Sequence, residues 1–104
     1  MPAPTPKILC TTPTPGKQPV RIDAWKYHLI KDRLVEVLRS KGPQTHKDLT
    51  QQIGRLLKNP EKDKLGSVAW YTTTVKLDLE CKGMISRVNG SRPHQFKIGR
   101  FVTL

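Results

Sequence analysis

The chain has 104 residues, which suits one small domain of about 100–150 residues and is too short for two cores. Nineteen Lys and Arg stand against eight Asp and Glu, a formal charge of +11 that favours a polyanionic partner, nucleic acid ahead of an anionic membrane surface. No apolar run is long enough for a membrane span or a signal-peptide core, and Cys10 and Cys81, the only two cysteines and one of them in a Pro-rich arm, argue against a disulfide scaffold or a Cys-based zinc site.

Residues 1–22 hold six of the nine prolines, interleaved with threonines, and read as an extended basic arm, mobile or laid over the domain as a tail. Val20 and Ile22 alternate with Arg21 and suggest a short strand or anchor. A first helix is predicted over about 23–41, with Asp23 as N-cap, a buried stripe of Tyr27, Ile30, Leu34, Val37 and Leu38, and Gly42-Pro43 as its stop. A second runs over about 46–58, capped by Thr45 and carrying Leu49, Ile53, Leu56 and Leu57 on one face. Residues 59–64, charged and broken by Pro60, read as an exposed loop. The third helix is predicted over about 67–82, with Ser67 as cap, Val68, Thr72, Val75 and Leu79 as its core face and Gly83 as its stop. Strands over about 84–88 and 94–98 flank Asn89-Gly90, a hairpin turn signal, and residues 100–104 form a tail. A domain spanning about 23–99 follows, behind the arm.

Three helices and a two-stranded hairpin, with Leu79-Glu80-Cys81-Lys82-Gly83-Met84-Ile85 at the end of the third helix, resemble the winged helix-turn-helix superfamily. Thr45-His46-Lys47-Asp48-Leu49, followed by Ile53-Gly54, is similar to its second helix. Trp70, Thr74 and Leu77-Asp78-Leu79-Glu80-Cys81-Lys82-Gly83 also resemble a family of small uncharacterised bacterial proteins, a likeness that implies no activity. The expected class is therefore α+β: a winged helix, meaning a three-helix bundle followed by a β-hairpin wing, with an extended Pro-rich N-terminal arm. One departure stands out. Superfamily members join their second and third helices through about three or four residues, and the connection from Asn59 to Gly66 is longer.

The resemblance implies that the third helix enters a DNA major groove. Its outer arc, however, carries Trp70, Thr73, Thr74, Leu77 and Cys81, with no Arg, Lys, Asn or Gln to read bases. Lys76 and Lys82 flank that arc, and Asp78 and Glu80 cancel them. Trp70 and Leu77 form an apolar stripe with three readings: packing under the arm or the first helix, a homodimer or partner interface, or contact with thymine methyls beside Thr hydroxyls. Basic residues collect elsewhere, in the wing (Arg87, Arg92, Lys97) and the arm (Lys7, Lys17, Arg21). Alternation along the strands points Arg87 and Lys97 outward together. Charged hairpins and tails are also often merely solvated.

His28, His46 and His94 lie in three different elements, and no nucleophile, phosphate-loop or dinucleotide motif is present. No catalytic residue, cofactor or metal is expected, and the chain reads as a non-enzyme. The resulting expectation is a cytoplasmic bacterial DNA-binding regulator or accessory factor. It would hold duplex DNA through wing residues Arg87, Arg92 and Lys97, groove residues Thr73, Thr74 and Lys76, and arm residues Lys7, Lys17 and Arg21. The alternatives are a protein-interaction or homodimer module using Trp70 and Leu77, and an RNA-binding one.

Overall fold

In the computed structural model, which describes residues 6–12, 18–88, 90 and 94–99, the arm begins with two paired strands. β1 (Lys7–Cys10) runs antiparallel to β2 (Val20–Asp23), with Ile8 opposite Ile22 and Cys10 opposite Val20. Pro6 and Pro19 lie just outside the strands, so every strand residue keeps its amide donor. Cys10 and Ile22 are buried and dock the hairpin on the helices that follow. The arm is thus extended, and its described strands are laid over the domain.

α1 (Ala24–Lys41) buries Tyr27, Ile30, Leu34, Val37 and Leu38, the spacing of a single helical face. Asp23 holds the N-cap position but makes no capping bond; its carboxylate turns to Lys7, 2.8 Å away across the arm hairpin. The helix ends where Gly42, at φ +76°, gives its amide to the Leu38 carbonyl. A two-residue strand, β3 (Gln44–Thr45), leads into α2 (His46–Leu56), whose first turn is capped by Thr45 Oγ1 accepting from the Asp48 amide at 3.1 Å.

The segment expected to be an exposed loop is helical: α3 (Asn59–Leu65). Pro60 stands in the first turn, where a missing N–H costs nothing, so it starts this helix rather than breaking one. Glu61 Oε1 accepts from the Lys58 amide at 2.9 Å, Leu65 is buried, and Gly66 ends the helix. α2 accordingly stops at Leu56, short of the expected boundary near 58.

α4 (Val68–Cys81), the third helix of the sequence reading, packs against α1, α2, β1 and β4 (Ile85–Arg87). Ser67 Oγ accepts from the Trp70 amide at its start. At its end the Met84 amide bonds the Leu79 carbonyl and the Gly83 amide that of Glu80, with Gly83 at φ +75°. β4 pairs with β5 (Gln95–Ile98), and β5 also pairs with β3, giving the strand order β3-β5-β4. Among the described residues this makes a small α+β fold of four helices and two small sheets. Ile30, Leu34, Leu49, Ile53, Leu65, Leu79 and Ile85 form the centre of the core. Each such side chain is worth about 1.5–3 kcal/mol on burial.

Candidate functional site

At 100° per residue, Thr72, Val75 and Leu79 define the core side of α4, and all three are fully buried. Two charged residues border that side, and both are also buried: Lys76, 6% exposed, and Asp78, 0% exposed. The sequence reading put both among groups flanking an outer arc. The correction has a simple cause: two residues apart on a helix means about 200°, so each lies at one edge of the core face. What remains accessible on α4 is a strip through Ala69, Trp70, Thr73, Leu77 and Cys81, with Trp70 and Cys81 exposed and Thr73 and Leu77 half-buried.

On the Asp78 flank the charge is satisfied within the chain. Asp78 Oδ1 accepts from the amide and hydroxyl of Thr11 at 3.0 and 3.1 Å. Its Oδ2 accepts from Tyr27 Oη and, at 2.7 Å, from Lys82 Nζ. Burial pushes the Asp78 carboxyl up, but the bonds from Lys82, Tyr27 and Thr11 outweigh it and hold the group below its ordinary value. The Tyr27 hydroxyl is driven far up by burial and by donating to Asp78. Burial, with Asp78 adding to it, pushes the neighbouring Cys10 thiol up to about 11, which keeps it an inert thiol. Asp78 thereby ties the arm, α1 and α4 together, a role the sequence reading did not assign.

The Lys76 flank opens into a cleft of about 480 Å³ lined by Thr45, His46, Lys47, Lys76, Arg87, His94 and Phe96. Three elements meet there: the N-terminus of α2, α4, and the β4–β5 hairpin. The Lys76 ammonium lies 4.0 Å from the Phe96 ring centroid, and the Arg87 guanidinium lies 5.5 Å from the same ring. Lys76 Nζ is 3.2 Å from His46 Nδ1, which makes Nδ1 the acceptor and places the imidazole proton on Nε2, 3.4 Å from Thr73 Oγ1. Thr73 in turn donates to the Ala69 carbonyl. Burial lowers the Lys76 ammonium, with Glu80 opposing the shift and Arg87 adding to it. Burial and then the Lys76 charge lower His46. The ion pairs among the described residues join Lys7 to Asp23, Arg33 to Glu36, Lys82 to Asp78 and Arg87 to Glu80. None includes Lys76. It is a buried cation whose nearest polar partner is an imidazole.

The residues expected to form one basic surface separate. Lys76 and Arg87 share the cleft, with Arg87 held at 3.3 Å from Glu80. Lys97 does not join them: Arg87 lies opposite Phe96 in the register and Lys97 opposite Ser86, so alternation sends Arg87 and Lys97 to opposite faces of the hairpin. Lys7 is bound to Asp23 on the arm, and Arg21 is exposed on β2. Thr73 faces His46, whereas Thr74 and Leu77 line a pocket of about 100 Å³ with Cys10, Thr11, Thr12, Gln18 and Val20 of the arm. The Trp70–Leu77 stripe is therefore divided. Leu77 lies against the arm, while Trp70 is 46% exposed, edge-on to Tyr71. Lys17, Arg92 and the tail over 100–104 lie outside the described residues.

Sequence reasoning passed over His46, Lys47, His94 and Phe96 as site residues. Only the Thr45 cap signalled that His46 and Lys47 open a helix, and nothing local placed them beside the hairpin. Among the described residues no cluster of His, Cys, Asp or Glu has the makings of a metal site, and no helix is long and apolar enough to cross a membrane.

Comparison with known proteins finds one family, described as a family of unknown function (DUF6958), which matches residues 7–96; the chain belongs to it. No curated protein and no solved structure matches.

Proposed function

We propose that this member of the DUF6958 family is a winged-helix-type nucleic-acid-binding module that grips phosphates and reads little sequence. The observation that carries this reading is the cleft, where Lys47, Lys76, Arg87, His46 and His94 converge from three elements beside the accessible strip of α4. The order of α1, α2, α4 and the β4–β5 hairpin supports it, since in the resembled superfamily the helix corresponding to α4 lies against a duplex, flanked by the wing. The strip through Ala69, Trp70, Thr73, Leu77 and Cys81 lacks the forked donors and acceptors that discriminate bases. Phosphate contact therefore dominates, with exposed Lys97 and Arg21 adding long-range attraction. A role as a cytoplasmic regulator or accessory factor fits such a binder, on DNA ahead of RNA.

Fluorescence anisotropy with a mixed-sequence duplex, titrated across salt, tests the proposal. Two or three phosphates neutralised at the cleft give a log–log slope of roughly −2 to −3, and Lys47→Met or Arg87→Met flattens it by about one unit each. Failure to bind duplex even at low salt refutes the reading. A second reading, a protein-interaction module, is favoured by one observation, the exposed Trp70 ring at the start of α4.

A further inference from the structure

The geometry points to a more specific ligand for the cleft, and we infer that it takes a terminal phosphate monoester, the dianionic end of a strand, in preference to an internal phosphodiester. The inference rests on the nucleic-acid reading for the source of the phosphate, though not for the existence of the site. Its first support is depth. Lys76 is 6% exposed at the cleft floor, walled by His46, Arg87 and Phe96. An internal phosphodiester carries a sugar on each side, and in a duplex it runs along the surface. A monoester has one ester link and three free oxygens, so it enters end-on.

Charge is the second support. A phosphate monoester bears a charge of about −1.5 to −2 near neutrality, whereas a diester bears a single charge. The cleft presents Lys76, Lys47 and Arg87, with His46 and His94 beside them, at the N-terminus of α2, whose first turn also carries Asp48. Glu80, not among the lining residues, lies 3.3 Å from Arg87 and also offsets part of the Lys76 charge. A dianion is what the remaining charge balances.

The third support is the state of Lys76 itself. An ammonium has three donors, and among the described residues the hydrogen-bond acceptor beside Lys76 Nζ is His46 Nδ1. Methionine would fill the same volume against Phe96 without a buried charge. A lysine held there with no carboxylate at ion-pair distance, and only Glu80 one turn on acting on its charge, is a stability cost that binding an anion offsets. Phosphate oxygens would take the two remaining donors.

Calorimetry on the full chain tests this with three probes: a short duplex bearing 5′-phosphates, the same duplex with 5′-hydroxyls, and inorganic phosphate. The His46 ring resonances serve as a local reporter. The wild type is expected to bind the 5′-phosphorylated duplex about tenfold more tightly, a modest return for a new set of charge-assisted bonds. Lys76→Met is expected to erase that preference and to unfold at no lower temperature than the wild type. If Lys76→Met does not fold, Lys76→Gln serves in its place. Lys97→Met, on the opposite face of the hairpin, keeps the preference.

Equal affinity for the two duplexes, with His46 unmoved by inorganic phosphate, overturns the site while leaving the general nucleic-acid reading standing. Equal affinity with a His46 shift that Lys76→Met abolishes upholds the monoester site and overturns the strand end as its source. Binding of inorganic phosphate with neither duplex bound upholds the site and defeats the nucleic-acid reading alone.

Discussion

Removing the carboxylate of Asp78 perturbs three elements at once. The group is 0% exposed and accepts four hydrogen bonds, two from Thr11 and one each from Tyr27 and Lys82. In Asp78→Ala the Thr11 amide, the Thr11 hydroxyl and the Tyr27 hydroxyl lose their acceptor. Lys82 loses its counter-charge, but its side chain is 46% exposed and rehydrates. Bonds to a buried charged acceptor are worth about 1.5–3 kcal/mol each, and breaking a buried pair costs about 3–5 kcal/mol. Because Lys82 reaches water, about 3 kcal/mol is expected for Asp78→Ala. Asp78→Asn, whose amide oxygen still accepts from Thr11, costs roughly half that. Urea unfolding measures both, and at a slope of about 1.5 kcal/mol/M the Ala midpoint falls by about 2 M. Amide exchange at Ile8 and Leu9 quickens, because the arm hairpin loses its tie to α4. A loss under about 1 kcal/mol for Asp78→Ala refutes the clamp.

The same carboxylate fixes a pH dependence. Its folded pKa lies below the ordinary 3.8, so the folded state holds the charged form more strongly than the unfolded chain does. Its contribution is complete above that ordinary value and is lost as pH falls through the folded one. The stability gap between the wild type and Asp78→Asn is therefore constant at neutral pH and closes in acid below about 3.8. A gap that widens on acidification contradicts the assignment.

Gly99→Ala places a Cβ 2.4 Å from the Gly83 carbonyl oxygen and 3.0 Å from the Met84 carbonyl carbon, both backbone atoms, so calorimetry should show a loss of roughly 2 kcal/mol and a Tm about 10 °C lower. Trp70→Ala, removing a ring that is 46% exposed, leaves urea stability within about 1 kcal/mol of the wild type. A concurrent change in sedimentation would favour the interaction reading of that surface. Combining Lys76→Met with Asp78→Asn gives the sum of the single effects on stability within about 0.5 kcal/mol, since the two side chains share no partner although two positions apart.

The parts of the fold legible in the sequence are those set by local periodicity. Tyr27, Ile30, Leu34 and Leu38 announce α1, Leu49 and Ile53 announce α2, and Leu79 with Gly83 announces the end of α4 and the turn into β4. The missed parts have physical reasons. Pro60 reads as a breaker unless Glu61 and Leu65 are recognised as the cap and anchor of a new helix. β3 has two residues, too few to show alternation, and its strand character comes from pairing with β5, some fifty positions on. The pairing of β1 with β2 spans a stretch of prolines and is settled by the burial of Cys10 and Ile22 on the helices, which no local pattern encodes. The candidate site was half legible. Lys76 and Arg87 stand out by charge, but charge in a sequence reads as exposure, although the helical wheel puts Lys76 about 40° from Thr72, at the edge of the core arc.

Lys76 and Asp78 present the same expense with opposite outcomes. Each removes a charge from water, a cost of several kcal/mol per ion after relaxation. Asp78 recovers it from Thr11, Tyr27 and Lys82, all supplied by the chain, so its role is complete when folding is complete. Lys76 recovers only part of it, from one imidazole nitrogen, the face of Phe96 and Glu80 one turn on, in a cleft that opens outward and is bordered by further cations. A net charge of +11 spread over a surface speaks to solubility and to general attraction for polyanions. A buried lysine that forms no ion pair among the described residues marks one place on that surface suited to an anion. The functional reading therefore depends on Lys76 more than on the basic arm and wing that the composition first suggests.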